Sequence, residues 1–282
     1  MSTKGGKNPH RHHTFFADAS ISLVGTFTAT WILVKFSTAV WATFGIGAVL
    51  ATFKLSQAAR TKSSSVKWEK GFTDWFIVAK SLTSAAGVIC MNIFREKGWY
   101  SQATCLTTNI FMGVNIFEAI ARDVESKFYA NAAVGLFLIF NLPWGWNEGT
   151  SKDVSLATIE SKMFLFPISW AWVLLYTSWN ACFVYGDNLS WQTRLILIPP
   201  ILIAAIVDVR VWLGARVLLL LLHILLRSVQ IVRIYTPGES ILTPVAGSIS
   251  NSKRIATVWG CLNIFVAVLW YTFEYSIMYL EY

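Results

Sequence analysis

Apolar runs of bilayer length, separated by short polar stretches, dominate the hydropathy pattern of the chain. A bilayer core of about 30 Å takes about 20 helical residues to cross, and that length is the ruler for these runs. Residues 15–53 contain only Asp18 and Lys35 as charges and are too long for one crossing, so they divide near Lys35 into spans over 16–35 and 39–54. Further spans follow at 75–94, 101–121, 128–144, 163–185, 193–207, 211–233 and 255–278. The run from 128 ends in Asn141-Leu-Pro-Trp-Gly-Trp146, where Pro143 and Gly145 stop a helix and the tryptophans suit a headgroup interface. Pro199-Pro200, inside the run from 193, removes two backbone donors and predicts a kink or break. The pattern predicts an all-α polytopic membrane bundle of about nine transmembrane helices, with about eight as the alternative.

Charge sets the expected orientation. A basic tail covers residues 1–14, Lys54, Arg60, Lys62, Lys67 and Lys70 crowd the loop at 54–74, and further basic residues flank the Gly/Pro/Ser-rich loop at 236–254. The stretch 147–162 and the end of the chain, with Glu274 and Glu281, are acidic by comparison. Basic loops stay on the cytoplasmic side, so the N-terminus is expected inside and the C-terminus outside. Asn188-Leu-Ser190 is a glycosylation sequon that this map puts inside, where it goes unused. No composition shift divides the chain, so residues 1–282 read as one transmembrane domain.

Composition sharpens the class. Hydrophobic residues make up 55% and charged residues 13% of the chain, against about 25% charged in soluble domains. The net charge of +8 comes without a basic run interleaved with aromatics, so anionic lipid headgroups, not nucleic acid, are its expected partner. The four cysteines lie in apolar runs with no CxxC pair and are expected to be buried free thiols. No cleavable signal peptide is expected, the first span serving as its own address. His10, His12 and His13 read as part of the basic tail and not as a metal site. No Gly-x-Ser-x-Gly, His-Glu-x-x-His or phosphate loop is present, so neither enzymatic activity nor a cofactor is expected. The 14 tryptophans and 19 phenylalanines fall mostly near span ends, as aromatic belts do.

Ionisable groups inside a bilayer cost about 2.5–3.5 kcal/mol each on insertion scales, so those that occur are paired, peripheral or functional. Asn115, Glu118 and Arg122 are spaced i, i+3 and i+7, which aligns them on one helix face. The topology sets Lys80, Glu118 and Arg122, Asn180 with Tyr176 and Asp187, and Asn263 at a similar level in the inner half of four spans. Each residue alone has an ordinary structural explanation: snorkelling for Lys80, an i, i+4 pair for Glu118 and Arg122, interhelical hydrogen bonding for the asparagines. Together they outline a polar site. A second stripe, Arg216, Leu220, His223, Arg227 and Gln230, follows helical spacing in the run from 211, with His223 deepest.

The motif Asn115-x-x-Glu118-Ala-x-x-Arg122-Asp123 resembles the core signature of the membrane family known as domain of unknown function 5692. Trp75-Phe76-x-x-Ala79-Lys80, Tyr176-x-x-Trp179-Asn180 leading to Val184-Tyr185, and Trp212-Leu213 followed by Arg216 resemble further segments of that family in the same order. The resemblance spans residues 74–217. It implies a helical integral membrane fold and no established activity, and it selects Lys80, Glu118, Arg122 and Asn180. The chain departs from the family pattern at Thr177 and at Val34-Lys35, where the pattern carries acids.

These readings converge on a membrane transport protein, channel or carrier, for a small polar solute or ion. Glu118 and Arg122 are the expected gating or ligand pair, Lys80 a counter-charge, Asn180 and Asn263 neutral ligands, with Asn115, Tyr176, Asp187 and His223 along the ligand or transport pathway. The alternatives are a non-catalytic integral subunit of a larger membrane complex, or a lipid- or pigment-binding membrane protein; a homo-oligomer fits the first reading.

Overall fold

The computed structural model describes residues 20, 23–32, 100–142, 147–149, 163–186, 196–228 and 253–280. The tail over 1–14, the expected spans at 39–54 and 75–94, the loop at 54–74, the stretch 236–252, and Lys80, Cys90, Asp187 and Asn188 lie outside them. The described chain folds into helices α1 (Leu23–Ile32), α2 (Tyr100–Glu125), α3 (Tyr129–Phe140), α4 (Trp170–Gly186), α5 (Ile198–Ile206), α6 (Trp212–Ser228) and α7 (Lys253–Leu280). The helical class agrees with the hydropathy pattern. Among the described residues one helix, α7 over Arg254–Phe273, is both long and apolar enough to cross a membrane.

Several helices are shorter than the apolar runs that contain them, for local reasons. The run from 163 begins with a strand: β1 (Asn147–Gly149) pairs antiparallel with β2 (Met163–Leu165), Asn147 opposite Leu165. Pro167 follows, and α4 starts only where the Ser169 hydroxyl accepts the Trp172 amide at 3.3 Å, an N-cap that satisfies one orphan donor of the first turn. Pro199 and Pro200 do not kink a longer helix. They occupy the first turn of α5, where a missing N–H is tolerated, and α5 is a helix of 9 residues. Asp208 ends that segment by capping a 3-10 turn (Val209–Val211), accepting the Arg210 amide at 2.8 Å.

The helices pack in alternating directions. Asp123 of α2 meets Asn131 and Ile120 meets Gly135, so α2 and α3 form an antiparallel hairpin. Along α7, Gly260 lies on Asn131 and Trp270 on Phe137, so α3 and α7 run in the same direction. Against them α4 runs in reverse, with the Cys182 thiol donating to the Ala256 carbonyl at 3.4 Å. Trp172 packs on Trp212 and Tyr176 on Arg216, so α6 runs beside α4 in its direction. The core is aromatic and aliphatic, built on Met112, Ile116, Leu138, Trp172, Tyr176, Trp179 and Trp212.

A small-residue seam seats α7. Its buried positions are Ala256, Gly260, Asn263 and Ala267, at i, i+4, i+7 and i+11, facing α3 and α4. Among the described side chains of the helix, Val258, Leu262, Phe265, Leu269 and Phe273 face outward. Cys261 is exposed on that outward side, which corrects the expectation that the thiols are buried; Cys105 and Cys182 are buried.

The α2–α3 turn is a Schellman motif: Phe128 N–H donates to the Asp123 carbonyl at 2.7 Å and Lys127 N–H to that of Val124 at 3.1 Å. Lys127 holds the left-handed position with φ 63°, where a Cβ costs about 1–2 kcal/mol. Lys127→Gly removes that clash at the expense of a freer unfolded chain. We expect a net stabilisation of about 0.5–1 kcal/mol, read as a higher melting temperature.

Candidate functional site

Near the C-terminal end of α3 and the start of α4 lies a cavity of about 540 Å3, lined by Phe140, Asn141, Ser169, Trp172, Arg210 and Trp270 among others. Three elements meet there because β2 leads into the α4 cap and the Phe166 amide donates to the Arg210 carbonyl at 3.0 Å. Arg210 is held by Asp208 in a two-pronged ion pair, Nε to Oδ1 at 2.9 Å and Nη2 to Oδ2 at 2.7 Å. These bonds hold the Asp208 carboxyl below the ordinary carboxylate range, against an opposing push from partial burial.

Trp172 separates this cavity from a buried polar cluster. It lines the cavity, and its ring stacks on Tyr176 with centroids 5.3 Å apart and planes inclined by 10°. Trp212 closes the group edge-on, 5.0 Å from Tyr176 and 5.6 Å from Trp172. On the far side, the Tyr176 hydroxyl accepts from Asn180 Nδ2 at 3.1 Å and from Arg216 Nε at 3.3 Å. Arg216 Nη1 donates to the Ile196 carbonyl at 3.1 Å, and the guanidinium carbon lies 5.7 Å from the Tyr176 ring centre. Tyr176 and Asn180 meet because they are one turn apart on α4, while Arg216 sits one turn past Trp212 on α6.

This guanidinium does not snorkel to the end of the bundle that holds Asp208. Ile196 precedes α5 at its N-terminal end, and the 9 residues of α5 rise about 14 Å before the Asp208 turn. Arg216 is 2% exposed.

The other expected site residues fall elsewhere. Asn263 belongs to a second cluster, where its Oδ1 accepts the Ser178 hydroxyl at 2.7 Å while Trp259 Nε1 donates to Ser178 Oγ at 3.0 Å. Ser178 is two residues from both Tyr176 and Asn180, so it points to the opposite side of α4, towards α7. Asn180 and Asn263 thus serve different clusters although they were expected at one level. Glu118 and Arg122 pair with each other across one turn at 3.8 Å, both half-buried, and Asn115 is half-buried on the same helix. His223 lies two turns beyond Arg216 on α6, half-buried, and Arg216 makes no bond to it.

A third polar contact escaped the sequence reading. Asp123, 1% exposed, accepts from Asn131 Nδ2 at 2.7 Å, and Trp179 Nε1 donates to the Asn131 carbonyl at 2.8 Å. The available signal was Asn131 itself, the lone strongly polar residue of α3. Arg216 was visible as part of a stripe, but its pairing with Tyr176 needed the α4–α6 contact. No family model, no curated protein and no solved structure matches the chain.

Proposed function

We propose that the chain is a multi-pass membrane protein that moves a small polar solute or ion, as a channel or carrier held shut at Trp172. The observation that carries this reading is the layering at one end of the bundle: an open cavity, then the Trp172–Tyr176–Trp212 plug, then the polar cluster of Tyr176, Asn180 and Arg216. Polar side chains within a helical interior are a familiar mark of a solute pathway. The apolar outer face of α7 supports a lipid setting: a face of that extent is unfavourable in water, whereas its small-residue seam is the packing that lipid-embedded helices favour. Short α5, starting inside the bundle, resembles the discontinuous helices that border carrier sites.

Liposome flux measures this directly. Purified protein reconstituted with a panel of small ions, sugars and amino acids is expected to pass at least one of them faster than protein-free liposomes do. Trp172→Ala, which trims the plug, is expected to raise that flux about tenfold, a change of about 1.4 kcal/mol in the barrier. If neither protein moves any solute of the panel, the transport reading fails. The outer face of α7 favours one second reading, an integral subunit that seats another chain's helix there. Purification decides between them, since a subunit stripped of its partners aggregates while a transporter remains monodisperse.

A further inference from the structure

We propose that the Tyr176–Asn180–Arg216 cluster binds a small monovalent anion, a halide or a short carboxylate. The proposal rests on the transport reading of the same residues and names the class of solute they receive.

Charge is the first argument. A guanidinium stays protonated wherever it sits, and burying an uncompensated charge is costly enough that such groups are normally paired. Arg216 is 2% exposed, yet no carboxylate among the described residues lies within ion-pair distance of it. The described acids nearest in character are engaged elsewhere: Glu118 with Arg122, Asp123 with Asn131, Asp208 with Arg210. A carbonyl and a phenol oxygen satisfy two of the guanidinium donors and supply no counter-charge. The remaining donors are all at its terminal nitrogens.

Donor excess is the second, independent argument. The Tyr176 oxygen already accepts twice, so its own proton is left to donate. Trp172 and Trp212, whose rings pack on Tyr176, have buried indole N–H groups with no hydrogen-bond partner. Every unused polar hydrogen of this group calls for an acceptor, and buried donors left without one are costly. The first turn of α5, beside Ile196, has no side-chain cap and adds the positive end of a helix dipole. One negatively charged acceptor beside Arg216 and the Tyr176 hydroxyl supplies the missing charge and takes their unused donors, in a setting already short of acceptors.

Equilibrium titration tests the site apart from flux. Purified full-length protein is titrated with sodium chloride, formate and acetate, with ionic strength held by a bulky sulfonate salt, and read by tryptophan fluorescence and melting temperature. At least one of the three is expected to give a saturable fluorescence change, through Trp172 and Trp212, and a raised melting temperature. Arg216→Gln is expected to weaken that binding about tenfold or more, as loss of a charge-assisted bond does. Arg254→Gln, an exposed change on α7, leaves it unaltered. Where Arg216→Gln does not fold, Arg216→Lys keeps the charge and loses the fork, and it is expected to weaken the carboxylates more than chloride. No saturable response in the wild type, or unaltered affinity in the Arg216 variant that folds, overturns the site. Binding without flux leaves the site standing and removes the transport reading; flux without Arg216-dependent binding does the reverse.

Discussion

Gly135→Val is expected to destabilise the protein by about 1–3 kcal/mol, the usual result of forcing atoms into a filled interior. A Cβ at this position would stand 2.5 Å from Ile120 Cγ1 and 3.0 Å from Trp179 Cζ2. Neither neighbour gives way easily, because one is the methylene attached to a branched β-carbon, close to its backbone, and the other belongs to a rigid ring. Gly135 therefore sets how closely α2, α3 and α4 approach. Thermal melting of the purified variant measures the loss. Gly113→Ala is the matched control: its Cβ meets only Leu142 Cδ1 at 3.7 Å, an ordinary contact. It should gain about 0.5–1 kcal/mol from helix propensity. Ile120→Ala opens room beside Gly135, so the double variant should be more stable than the sum of the two losses implies.

The second large effect is at the α2–α3 turn. Asn131→Leu takes from the Asp123 carboxyl a donor at 2.7 Å, in a place where the acid is 1% exposed. Loss of such a bond to a buried polar group costs about 1–3 kcal/mol. Asn263→Leu provides the contrast. Its Nδ2 has no partner to lose, and the half-buried Ser178 hydroxyl, which loses its Asn263 acceptor at 2.7 Å, still accepts from Trp259, so the loss should stay near the net worth of one hydrogen bond between neutral groups, about 1 kcal/mol. Chemical denaturation of the two variants side by side measures the difference, and equal losses would contradict the assignment of the costlier, more deeply buried contact to Asp123 and Asn131.

Both predictions concern the frame that holds Tyr176. Trp179 touches Gly135 on one side, donates to the Asn131 carbonyl, and lies 5.7 Å from the Tyr176 ring. A shift of α3 is thus transmitted to the residue that carries both the plug and the polar cluster. Packed interiors pass strain on because they contain few voids to absorb it.

Periodicity and composition were sufficient for the helical class and for the places where α2, α4, α6 and α7 run. These are local properties: apolar run length, and the positions of prolines and caps. Tyr176 and Asn180 were legible as a pair because i and i+4 share a helix face wherever the helix packs. The helix ends were less legible. Pro167 and Ser169 delay α4, and Pro199-Pro200 start α5, yet hydropathy averages across such signals. Depth along a span was the weakest guide. It grouped Asn180 with Asn263, whereas Ser178 and Asn180 face opposite sides of α4, and side-chain direction matters as much as level.

What the sequence determined by itself is the chemistry each helix carries: a basic, apolar chain with Glu118 and Arg122 one turn apart, Tyr176 and Asn180 one turn apart, and a positive stripe from Arg216. Only the tertiary structure decided which of these meet. It set Arg216 against Tyr176 across 40 residues of chain and Asp123 against Asn131 across a left-handed turn at Lys127. It also left the guanidinium buried with no carboxylate beside it among the described residues, because helix faces choose their partners by shape and burial, and no spacing along one helix records which neighbour will pack against it.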